Sequence, residues 1–353
     1  QATAAGDLLQ TGTLGAQTVS LQAGRDLTAG GTLQSASTLD LQAQRVLALN
    51  GQAQAGSVAA LRGHSIATGA AAVLKSAGLI TLDGAAIDSR GTLDAGSDLR
   101  VTSTGGLALA GVAQANRDAV LNAAGGLSNA AQVIEGRDLS VQAGTVTNAA
   151  SGALAAEGVV TLTTGALQNA GSVQSGGDLR ITAASLDQSG VANAGKALTA
   201  TVTGVLDNRS SLIATDRLVV DAGNLRSSGQ LGSQTATVDL SSRGEMTLQG
   251  VVAAATTLQA TAAGDLQQGG SLKAQSVALH AGRDLVAAGA LQSGSALDLQ
   301  AQRALALNGQ ASSVGDATLR AATISTAQAA VLQTGGAISL DGAAIDSRGA
   351  LDA

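Results

Sequence analysis

The sequence predicts an all-β fold, a right-handed parallel β-helix with about 20 residues and three short strands per coil. Three observations predict it. The phrase Leu39-Asp40-Leu41-Gln42-Ala43 returns in variant form almost every 20 residues: VSLQA from Val19, ITLDG from Ile80, LSVQA from Leu139, VALHA from Val277, ISLDG from Ile338. A fixed period in this range marks a repeat architecture. Each copy alternates apolar and polar residues, as a half-buried strand does. Between copies come two further short apolar stretches set off by Gly, Asn or small polar residues, so one period holds three strands and three bends.

The coil after Leu41 shows each element. Leu41 centres the first strand; Val46, Leu47 and Leu49 supply the second; Asn50-Gly51 makes a bend; Gln52 to Ala55 form a weaker third strand, and Val58 begins the next coil. Elsewhere the second stretch ends in Asn, at Asn129, Asn148, Asn169 and Asn208. The third begins after Gly, as at Gly91, Gly152, Gly171, Gly270 and Gly289. Glycine at the bends is expected to supply φ > 0 without a Cβ clash. Asn129, Asn148 and Asn169 lie about one coil apart, which predicts a short side-chain ladder of the kind seen in stacked β structure. Right-handed winding follows from the handedness of parallel crossovers. At about 4.8 Å per coil, some 17 coils give a rod of roughly 80 Å.

Composition sets bounds. Of 353 residues 45% are hydrophobic, yet Phe, Tyr, Trp, Pro and Cys are all absent, so the core must be Leu, Val, Ile and Ala. The net charge of −6 is mixed along the chain. With no basic cluster and no stacking aromatic, a nucleic-acid partner is not expected. No apolar run is long enough for a transmembrane helix. Absence of Cys suits a chain that crosses membranes unfolded. Residues 4–95 align without a gap to residues 262–353, and roughly two-thirds of the positions are identical. The domain reading is therefore one β-helix over residues 1–353, holding two copies of one long repeat. It begins and ends in mid-pattern, as a segment of a longer chain would.

These units resemble the haemagglutinin repeats of large bacterial exoproteins secreted by the two-partner pathway. That group includes filamentous haemagglutinin and the effectors of contact-dependent growth inhibition. The resemblance rests on Gly-Arg-Asp-Leu before an alternating stretch (Gly24 to Leu27, Gly136 to Leu139, Gly282 to Leu285), on Gly177 to Ile181, and on phrases such as Ala166 to Gly171 and Val205 to Ser210. It covers essentially the whole chain. It implies a secreted shaft on a Gram-negative cell surface, with virulence or toxin delivery residing in other regions. It also implies an outer-membrane transporter as secretion partner and a target-cell receptor engaged outside these residues. No functional residue of the family can be carried onto this chain.

Several motifs invite chemistry. Gly190 to Gly195 and Lys196 spell most of a phosphate-binding loop, but Ala197 stands where Ser or Thr is needed, and a strand follows instead of a helix. His64 and His280 have no visible partner, and a zinc site wants three or four ligands, so both are expected to be exposed surface residues. Asp83, Asp88 and Arg90, repeated as Asp341, Asp346 and Arg348, form the richest polar cluster; a surface ion pair or a turn hydrogen bond is expected there, because the calcium-binding nonapeptide pattern is absent. Asn208-Arg209-Ser210 fits a glycosylation sequon. Catalytic, cofactor-binding and metal residues are therefore all assigned as none, no cofactor is expected, and the chain is not read as an enzyme. Of three functional classes, a structural shaft leads and a direct adhesin is the alternative. A polysaccharide-cleaving enzyme is weakest, since paired carboxylates and aromatic platforms are missing. Unpaired strands on an end coil predict head-to-tail self-association.

Overall fold

Inward-facing leucines stack in files from coil to coil. In the computed structural model, which describes residues 1–353, Leu21, Leu41, Leu61 and Leu82 sit in register on successive coils. So do Leu279, Leu299, Leu319 and Leu340. All strand pairings are parallel; there are 44 strands and no helix. The chain is a parallel β-solenoid with about 20 residues per coil, as the repeat predicts. It falls into two compact units, Gln1–Gly177 and Asp178–Ala353. In the first, the leading strands run from Ala2–Ala4 to Val160–Asn169; in the second, from Leu179–Gln188 to Ile338–Asp341.

The three strands of a coil make three outer faces, called here one, two and three in chain order. Thr38–Ala43, Val46–Leu49 and Gln52–Ala55 are one such set. Alternate residues point inward, so Leu39, Leu41, Ala43, Leu47, Leu49, Ala53 and Ala55 are all buried. Removing these aliphatic groups from water is the main favourable term, and no coil can do it without neighbours above and below.

Two expectations need correction. First, a bend does not always interrupt a strand. Faces one and two share a continuous strand in Val58–Thr68, Leu79–Ser89 and Ala119–Asn129. In the second unit faces three and one do so in Ser271–Ala281 and Ala290–Ala301. The chain turns there through local irregularities, as between Ala123 and Gly126 or Ala274 and Ser276, which re-aim a strand while pairing resumes beyond them.

Second, no residue has positive φ, glycine included. Bend glycines are required for a different reason. A β-carbon on Gly51 would lie 1.9 Å from the carbonyl oxygen of Gly31, and one on Gly270 would lie 1.9 Å from that of Gly250. The backbone of one coil rests directly on that of the next.

Candidate functional site

Polar groups in this solenoid are organised as files running from coil to coil. The first file begins with Asp7. Its carboxylate takes two hydrogen bonds from the Arg25 guanidinium, Nε to Oδ1 at 3.1 Å and Nη2 to Oδ2 at 2.8 Å. The same Oδ1 accepts the backbone amide of Asp26 at 3.2 Å. Asp26 in turn receives Arg45 at 3.2 Å and the amide of Val46 at 3.1 Å. The second unit repeats this with Asp265, Arg283 and Asp284, then with Asp284, Arg303 and Ala304.

The Gly-Arg-Asp-Leu phrase thus has a mechanical meaning. Its Arg reaches back to the Asp of the preceding coil. Its Asp caps an amide of the following coil, which would otherwise be left without a partner at the bend. The device also serves the bend between faces three and one, where Asp98 pairs with Arg117 and Asp118 with Arg137, while Asp138 accepts the Val159 amide at 2.7 Å. Arg137 donating to its carboxylate, with burial opposing, holds Asp118 below the ordinary carboxylate range; Arg303 does the same for Asp284.

A second file lies inside, at the end of face two. Asn129 Nδ2 donates to Asn148 Oδ1 at 2.8 Å, and Asn148 Nδ2 to Asn169 Oδ1 at 2.7 Å. All three side chains are buried. The expected asparagine ladder is present. Its further donor contacts reach carbonyls at the start of face-three strands, Asn129 to Ala153 and Asn148 to Ser172. In the second unit Asn208 donates to Ser227 Oγ at 3.0 Å and to the Gln230 carbonyl at 3.0 Å. Asn208 is fully buried, so its sequon is closed to a glycosyl donor once the coil has formed.

The other singled-out residues separate. Val191–Ala194, inside the loop-like Gly190 to Lys196, is a strand. Arg90 pairs with Asp88 at 2.8 Å and Arg348 with Asp346 at 2.7 Å, both exposed ion pairs as expected. Asp83 lies on face one, away from them, facing Arg62 across one coil. No three side chains of the metal-ligating kinds come together. His64 is exposed. His280 differs from expectation: it is only partly exposed, and its Nε2 lies 3.5 Å from the Asp298 carboxylate. The partner is two residues before Gln300 on the next coil, a relation visible only once the register is known.

His280 also lines an open groove of about 590 Å³ at the bend between faces one and two in the second unit. Thr261, His280, Gln300, Arg320 and Asp341 stand along it one coil apart. Gln300 donates to Asp298 at 2.8 Å, and Arg320 lies 3.9 Å from Asp341. In the first long copy Gln22 replaces His280, and Arg62 instead pairs with Asp40 at 2.8 Å. A groove of this kind offers donors and acceptors to a polar ligand and no enclosed reaction chamber.

A repeating aliphatic solenoid with cross-coil polar files defines a shaft-like or adhesive class of protein. The haemagglutinin-repeat model matches residues 1–52, 46–111, 107–186, 174–250, 251–308 and 284–353, and the chain belongs to that family. No curated protein and no solved structure matches it. Members of the family are typically secreted or displayed on the cell surface. No helix of the structure is long and apolar enough to cross a membrane.

Proposed function

We propose that this chain is shaft: a spacer in a filamentous exoprotein of a Gram-negative bacterium, secreted through an outer-membrane transporter. On this reading it extends a receptor-binding or toxin-delivering region, carried elsewhere in the protein, away from the cell. One observation carries it. Between the two long copies, only four positions that are buried in either one differ: Ala55 and Ser313, Ala60 and Thr318, Gly63 and Ala321, Ser76 and Thr334. The remaining differences lie on outward or bend positions. A spacer needs its interior kept and tolerates drift outside, whereas a single chemical site gains nothing from being copied. We assign no catalytic role.

The groove beside His280 favours a second reading, a direct adhesin whose outer faces bind glycans or proteins of a host or neighbouring cell. Probing a glycan array with this chain separates the two. A blank array supports the spacer. Selective binding to one sugar class, weakened by Arg320→Ala, supports the adhesin and overturns the first reading.

A further inference from the structure

One side chain breaks the pattern of the interior. At the inward end of face three the file runs Ser35, Ala55, Ser76, Ala95, Ala115, Glu135, Ala156, Ser175. Seven small residues surround one long acid. The serines of this file close onto bend carbonyls, Ser35 to Thr38 at 2.7 Å and Ser76 to Ser57 at 2.9 Å. Glu135 is 1% exposed, and neither carboxyl oxygen has a hydrogen-bond partner.

The neighbouring residue is inverted in the opposite sense. Ile134 points outward and is 51% exposed, in a file that otherwise runs Gln34, Gln54, Lys75, Asp94, Gln114, Ala155, Gln174. Strand Gln132–Glu135 therefore turns an apolar group to water and an acid to the core.

We propose that this strand is a proton-operated joint in the solenoid. With Glu135 neutral the coil is closed; when the carboxyl gives up its proton, the side chain leaves the core through the Gly136-Arg137 bend. The strand then separates from Val112–Ala115 below and Ala153–Ala156 above.

The charged groups around the bend give the ionised form no refuge inside. From the coil below come Arg117 and Asp118, from its own coil Arg137 and Asp138, and from the coil above Glu157. Arg117 and Arg137 are already paired with Asp98 and Asp118. Desolvation pushes the Glu135 carboxyl up to about 9, with the nearby Ala115 backbone pulling the other way and the Asp118 charge adding to the rise. A carboxylate buried without a partner is expected to neutralise in this way.

The chain has three glutamates, Glu135, Glu157 and Glu245, so a glutamate-specific protease reads the joint directly. Cleavage after Glu135, scaled to cleavage after the exposed Glu157, should rise at least about tenfold between pH 7 and pH 9.5, in proportion to the ionised fraction. Hydrogen exchange, corrected for its intrinsic pH dependence, should show residues 132–136 losing protection over the same range. Glu135→Gln, which stays neutral, and Glu135→Ser, which matches the file, should keep theirs. Resistance at residue 135 unchanged to pH 9.5, or equal protection loss in all three proteins, overturns the proposal.

Discussion

The carbonyl oxygen of Gly229 lies 1.9 Å from where a β-carbon on Gly250 would have to sit. Backbone is the obstacle, so no side-chain rotation relieves it. Gly250→Ala should cost about 1–3 kcal/mol through forced separation of two coils. Gly232 is the control: its nearest neighbour to an added β-carbon is 3.7 Å away, and Gly232→Ala should leave the unfolding midpoint unchanged. Denaturant melts of both variants check this.

Asn148 sits between Asn129 and Asn169 and bonds to both. Leu109 occupies the same file one coil below Asn129, so a leucine fits the space. Asn148→Leu should therefore lose stability for a polar reason, by about 1–3 kcal/mol. Double-mutant cycles with Asn129→Leu should show strong coupling, since residues in one network do not add.

Asp284 and Arg303 are not equal partners. Asp284 serves both the Arg303 guanidinium and the Ala304 amide, whereas the exposed Arg303 serves only the ion pair. Arg303→Ala should be nearly neutral, as exposed ion pairs usually are. Asp284→Ala should lower the melting temperature further than Arg303→Ala does, because a bend amide also loses its acceptor. Equal effects in thermal melts would refute this division of labour.

Acid should weaken the aspartate file. Asp118 titrates below its ordinary value of 3.8, chiefly because Arg137 donates to it. Its contribution is present above the unfolded value and is lost as the pH falls through the lower folded one. Asp118→Asn should flatten the acid limb of the stability curve below pH 4, and high salt should do part of the same.

Glu135 acts with the opposite sign. Its folded value of about 9 stands above 4.5, so its burden is absent below pH 4.5 and grows until the pH passes about 9. Glu135→Ser should stabilise the protein by on the order of 3 kcal/mol at neutral pH, and the gain should vanish in acid. Stability measured at pH 4 and pH 7 checks both halves.

The period and the alternation made the solenoid legible, because each inward residue must meet its own kind one coil away. Asn129, Asn148 and Asn169 were legible for the same reason: equal spacing becomes contact once the register is parallel. Glycine was placed correctly at the bends but for the wrong cause. Local turn chemistry suggested φ > 0, whereas the limit at Gly51 comes from Gly31 on another coil, which no local window contains. The Arg-Asp pairs were hidden similarly. Arg25 and Asp26 are adjacent in sequence, yet each works with a different coil. Glu135 did leave a trace, since Val133 and Glu135 stand where Leu33 and Ser35 stand two residues apart.

The two long copies are 258 residues apart, and the side chains at one copy's rungs match those at the other's almost residue for residue inside. Unequal crossing-over between the two coding segments would delete or add that block and leave a seam chemically like every other rung. On the proposed spacer reading, reach then changes in discrete jumps by recombination alone, without any new folding problem to solve.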